Sequence, residues 1–105
     1  MERVRLEEAR LFAVLSFLSP RSIANGDASG ADRISRSWAE KHDVPCGLYP
    51  AWWSKEGRSA GPKRNRRMFT GFEPEGLVAF PGGDGTADMV DVALDGGAWI
   101  VKVDW

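Results

Sequence analysis

The residues best suited to chemistry lie in two glycine-rich stretches. The first is Gly26-Asp27-Ala28-Ser29-Gly30-Ala31-Asp32, and the second is Pro81-Gly82-Gly83-Asp84-Gly85-Thr86. Glycine lets a backbone pass close to a ligand and adopt positive φ. Where such a loop opens a helix, the unpaired first-turn N–H groups and the helix dipole together favour a phosphate. Taken singly, each stretch is equally an ordinary strand-to-helix turn. Neither fits Gly-x-x-x-x-Gly-Lys-Ser/Thr, which excludes a P-loop by motif. Gly83-x-Gly85-x-x-Asp88 begins like the dinucleotide fingerprint. Asp88, however, stands in the place of the third glycine, which argues against a nicotinamide or flavin ligand.

The charge is distributed unevenly over a chain of net charge −1. Between residues 55 and 70, Lys55, Arg58, Lys63, Arg64, Arg66 and Arg67 face only Glu56, a local excess of five positive charges. From residue 71 onward, Glu73, Glu75, Asp84, Asp88, Asp91, Asp95 and Asp104 face only Lys102, an excess of six negative ones. A basic cluster inside a near-neutral chain points to an anionic ligand or a nucleic-acid backbone, with a solvated helix face as the plainer reading.

The 105 residues, 43% hydrophobic and 28% charged, suit one globular domain spanning residues 1–105. A single cysteine, Cys46, excludes an internal disulfide, and a single histidine, His42, leaves little for a metal site. No metal and no resident cofactor are expected. A reducing, cytoplasmic setting follows, with no membrane-spanning run.

The elements that must position the loops are legible as alternating helices and strands. Leu11, Val14, Leu15 and Leu18 form one apolar stripe of a helix over 5–18, closed by Pro20. A short strand is expected over 22–25. A helix over 30–42 carries Ala31, Ile34, Trp38 and Ala39 on one face. Residues 44–50 read as an edge strand, because Pro45 cannot donate to a ladder. A loop over 51–61 precedes a helix over 62–70, with Pro62 in its first turn. Residues 76–80 read as a strand buried on both faces. Thr86 is expected to cap a helix reaching Leu94, with Met89, Val90, Ala93 and Leu94 turned to the sheet and Gly96-Gly97 as its stop. Residues 99–103 make a last strand. This order predicts an α/β, Rossmann-like three-layer fold with a mostly parallel sheet of about four strands. So small a sheet leaves apolar surface, which predicts a homo-oligomer, a dimer through helices rich in Leu, Phe and Trp.

Taken together, residues 26–32, 61–68 (Gly-Pro-Lys-Arg-Asn-Arg-Arg-Met) and 80–90 resemble the YspA branch of the YpsA-related SLOG family. They are also similar to the wider superfamily of Lonely Guy phosphoribohydrolases and DprA. The resemblance covers residues 9–103 and implies a nucleotide-type ligand at the carboxyl ends of parallel strands. It implies that Pro81, Gly82, Gly83, Gly85 and Thr86 hold a phosphate, with Gly26, Ser29 and Gly30 as the opposite wall. Asp32 would bind a ribose hydroxyl or cap its helix. Arg64, beside Asn65 at a helix start, would clamp a phosphate or ribose, while Arg66 and Arg67 stay at the surface. Members of this branch carry a strand ahead of the first helix, where this chain opens on the helix. The resemblance therefore implies a trimmed fold, a fold completed by another chain, or an altered ligand site.

Three functions follow as expectations. The first is a nucleotide- or ADP-ribose-binding module that senses or sequesters its ligand. The second is a nucleoside 5′-monophosphate phosphoribohydrolase. The phosphoribohydrolase motif carries a glutamate where this chain has Asp88, so Asp88 with Arg64 would be the catalytic pair, with one methylene less reach. The third is DprA-like single-strand nucleic-acid binding, motivated by the basic segment and by Trp52 and Trp53, on which a base could stack. The same tryptophans also read as core or dimer contacts.

Overall fold

The computed structural model describes residues 2–104, with side chains from Glu7 onward. Its elements are α1 (Glu2–Leu18), β1 (Ile23–Asn25), α2 (Ala31–Lys41), β2 (Cys46–Leu48), α3 (Trp53–Glu56), a 3-10 turn (Gly57–Ser59), α4 (Ala60–Phe72), β3 (Gly76–Ala79), α5 (Asp84–Asp95) and β4 (Trp99–Lys102). The class is α/β, as the alternating pattern predicts. The four strands are parallel but form two separate pairs, β1 with β2 and β3 with β4, instead of the expected single sheet. The reason lies in the ladders. Each strand finds its partner across one helix, and among the described residues no strand hydrogen-bonds β1 to β3.

The helices pack in two sets, α1 against α2 and α4 against α5, and β1 touches both α2 and α4. The first set holds the main core. Leu11 and Leu15 of the predicted stripe are buried with Trp38 and Ala39. Around them pack Phe12, Ile23, Ala31, Ile34, Val44, Cys46 and Phe80. The Trp38 indole N–H donates to Ser16 Oγ at 3.1 Å, so the ring is buried without an orphaned donor. In the second half Met68, Ala79, Met89 and Ala93 are buried. The Trp99 indole lies over Gly76 where a side chain would otherwise sit, so Gly76 is required by a close approach across the ladder.

Several expectations are corrected. Residues 51–61 are not a plain loop, because α3 and the 3-10 turn form there, and α4 begins at Ala60, two residues before Pro62. Proline has no N–H to lose in a first turn, so it sits as comfortably at the third position as at the first. Leu94 is 58% exposed rather than turned to a sheet, because α5 covers only a two-stranded ladder. Phe17, Trp53 and Trp99 are also exposed. Among the described residues no helix is long and apolar enough to cross a membrane.

The completely buried Leu11 anchors α1 to α2. Leu11→Ala is expected to cost about 2–5 kcal/mol, read as a shift in the denaturant midpoint at constant slope.

Candidate functional site

The first glycine-rich loop leaves the end of β1 and is organised from within. Asn25, almost fully buried, accepts the Asp27 N–H on its Oδ1 at 2.9 Å. Its Nδ2 donates to the Asp32 carbonyl and to Ser35 Oγ, both at 3.0 Å. Asp27 takes φ 54°, and Gly30 takes φ 74° with ψ −127°, a conformation that favours glycine. Asp32 does not cap its helix. Its Oδ2 accepts the N–H groups of Gly26 and Ala28, each at 3.1 Å, and so holds the loop closed over its own helix. The N-cap position of α2 belongs to Gly30, which makes no side-chain cap. Burial pushes the Asp32 carboxyl up, against the Ala28 N–H, the Arg64 charge and the Gly26 N–H, which pull it down.

The second loop follows β3. Pro81, Gly82, Gly83 and Gly85 are all exposed. Thr86 is not the cap, because α5 begins at Asp84 and Gly83 occupies the N-cap position with no side-chain cap. Thr86 instead folds its side chain over Gly82, where a Cβ would collide with it. A Cβ at Gly83 or Gly85 would meet nothing within 4 Å, so backbone there faces open space. The first turn of α5 therefore presents N–H groups that no side chain caps.

Consecutive residues of α4 join the two loops. They lie in the second turn of α4 rather than at its start, because the helix opens at Ala60. Arg64 Nη1 donates to the Gly26 carbonyl at 2.6 Å and to the Tyr49 carbonyl at 3.4 Å. Arg64 Nε donates to Asn65 Oδ1 at 3.0 Å. Asn65, 3% exposed, donates through Nδ2 to Asp88 Oδ2 at 2.9 Å and to the Gly85 carbonyl at 3.1 Å. Gly26 admits no side chain, because a Cβ would overlap the Arg64 guanidinium. An unbroken chain of hydrogen bonds thus runs from the first loop through Arg64 and Asn65 to Asp88 and the second loop.

This arrangement gathers Gly26, Asp32, Arg64, Asn65, Gly85 and Asp88. Ser29 and Gly30 lie exposed on the outer part of the first loop, and Pro81 to Gly83 on that of the second. Arg66 Nη2 stands 4.0 Å from Asp88 Oδ1, so that carboxylate lies between an amide and a cation. Arg67 donates to the Pro50 carbonyl at 2.7 Å and stacks its guanidinium 3.9 Å from the Trp52 ring centre. Trp52 and Trp53 are both exposed, with Trp53 lying against Gly61. The Cys46 thiol is pushed up by burial, which fits a packing role. Among the described residues no cluster of His, Cys, Asp or Glu could hold a metal ion. Sequence reasoning did not single out Asn25. The signal was available, because an asparagine placed directly before a glycine turn can bond the backbone two residues on.

Two measurements follow. Asn65→Ala strands Asp88 and the Gly85 carbonyl and is expected to cost about 1–3 kcal/mol in urea unfolding. Asp32 carries a carboxyl whose folded pKa is raised, so its contribution is full in acid and is lost as pH rises above about 4 through the folded value. Asp32→Asn keeps an acceptor without the charge. Its stability relative to the parent chain should rise with pH over that window, and parallel pH profiles would overturn the assignment.

Compared with known proteins, the chain matches no family model, no curated protein and no solved structure.

Proposed function

We propose that this chain is a compact, SLOG-like module that binds a nucleotide-type ligand, ADP-ribose-like compounds included, at the carboxyl ends of β1 and β3. One observation carries the reading: Arg64 and Asn65 tie the two glycine-rich loops into one place. The phosphate takes the start of α5, where Gly82, Gly83, Gly85 and Thr86 present uncapped backbone N–H groups. Gly26, Ser29 and Gly30 form the opposite wall. Arg64 spends Nη1 on the Gly26 carbonyl, and in this reading its Nη2 would donate to the ligand. The parallel strand pairs, each followed or preceded by a packed helix, support a Rossmann-like ancestry of this geometry. The exposed Phe17, Leu94 and Trp99 support self-association.

A second reading has its own support. Asp88 is positioned by the buried Asn65 at 2.9 Å and keeps a partly exposed side chain, as a carboxylate stabilising positive charge on a ribosyl carbon requires. In that case the protein hydrolyses the N-glycosidic bond of a nucleoside 5′-monophosphate.

The experiment is a mixed nucleotide panel of monophosphates, ADP-ribose and its cyclic forms, ultrafiltered and identified by mass spectrometry in both fractions. Retention of an intact nucleotide, weakened at least about tenfold in Arg64→Ala, is the expected result. Unchanged affinity in that variant overturns the site. Free base and ribose 5-phosphate in the filtrate, lost in Asp88→Asn, select the hydrolase instead.

A further inference from the structure

Two exposed tryptophans lie outside the network that joins the glycine-rich loops. Trp53 is 60% exposed and Trp52 47%. They sit in the segment that leaves the carboxyl end of β2, where α3 begins. Together with Ala51, Ser54 and Lys55 they line an open hollow of about 630 Å³. Both rings are held in place. The Arg67 guanidinium stacks 3.9 Å from the Trp52 ring centre and is itself tied to the Pro50 carbonyl at 2.7 Å. Trp53 lies against Gly61, where a Cβ would meet its ring at 3.2 Å. Indoles that are supported on one side and open to water on the other are suited to receiving a planar ring.

The hollow adjoins the two loops through α4. Arg64 and Arg67 stand one turn apart on that helix and bond the consecutive carbonyls of Tyr49 and Pro50. The same Arg64 Nη1 holds the Gly26 carbonyl. β1 and β2 run parallel, so the first glycine-rich loop and the tryptophan segment leave the same edge of their ladder. The hollow also carries positive charge. Lys55 Nζ stands 5.7 Å from the Trp52 ring centre, beside the stacked Arg67. The carboxylate next in sequence, Glu56, is paired with Lys63 at 3.7 Å.

We infer that this hollow is the base subsite, with Trp52 and Trp53 as its stacking residues, an inference that rests on the nucleotide-type ligand proposed above. Phosphate and base are then held by different elements. Backbone N–H groups at the start of α5, with Arg64, take the phosphate, and the indoles after β2 take the base. Every base offers a π-face, so stacking selects base-bearing nucleotides over bare sugar phosphates and discriminates little among the bases. The cations beside the rings suit a ligand that carries negative charge next to its base.

The test is calorimetric titration of the full chain with AMP, ADP-ribose and base-free ribose 5-phosphate, in the parent and in Trp52→Ala and Trp53→Ala. Both side chains are exposed, so the variants are expected to melt with the parent. AMP and ADP-ribose are expected to bind the parent at least about fivefold more tightly than ribose 5-phosphate, and each alanine variant to reduce that preference. Ribose 5-phosphate affinity should stay unchanged, and Trp52→Phe should restore most of the preference because it keeps a stacking ring. AMP should also quench the indole fluorescence of the parent where ribose 5-phosphate does not. Nucleotide affinity that depends on Arg64 but is the same in both alanine variants overturns the base subsite and leaves the phosphate site standing. Equal losses of AMP and ribose 5-phosphate in Trp52→Ala overturn it as well, because the ring then serves only to support α4. Absence of nucleotide binding by the parent overturns the subsite together with the reading on which it rests.

Discussion

The structure depends on two adjacent side chains of α4. The strand ladders bind each half of the molecule internally, but among the described residues no ladder crosses from one half to the other. That task falls to Arg64 and Asn65 together with the packing of Phe80 and of α4 itself. Arginine can bond a backbone carbonyl through one arm and a neighbouring amide through Nε, because its donors form a rigid fork. Asparagine can accept from that arginine and donate onward, which neither a carboxylate nor an ammonium could do. The order Arg-Asn is therefore a specific solution to joining two loops, and Gly26 is the backbone concession that makes room for it.

The same pair explains why the site carries buried polar groups without becoming unstable. Asn25 and Asn65 are the two buried polar residues among the described side chains, and each spends its amide on loop backbone. Buried amides of this kind fix one arrangement, since any other leaves them unsatisfied. Asp32 is the point of tension. Two backbone N–H groups and a nearby guanidinium favour its charge, yet burial outweighs them.

Much of the fold was legible because helices announce themselves by period. The stripe of Leu11 and Leu15 and the face of Trp38 and Ala39 are buried as their spacing implies. The strand segments were also legible, because apolar runs such as Leu77-Val78-Ala79 sit between turn residues. The pairing of strands was not, since it depends on long-range hydrogen bonds that no local pattern encodes. The cap of α5 was misplaced at Thr86 for a related reason: a threonine hydroxyl suits an N-cap, but here the side chain is drawn over Gly82. Of the site, the glycine loops, Arg64 and Asp88 could be named from motif. The relay through Asn65 could not, because nothing in its spacing shows that it reaches both Gly85 and Asp88.

The two strand pairs are built alike. Each is a strand, a glycine-containing loop, a helix and a parallel strand, so that partners such as Ile23 and Cys46, or Gly76 and Trp99, meet across a whole helix. Parallel pairing of that kind must close a long loop before any ladder bond rewards it. The Arg64–Gly26 bond spans the separate halves and has nothing to join until both exist, whereas Asn65–Asp88 ties α4 to α5 within the second half. The cleft between the halves is therefore complete only when both have formed, so the place proposed for a ligand is the part of the molecule that depends on the whole fold.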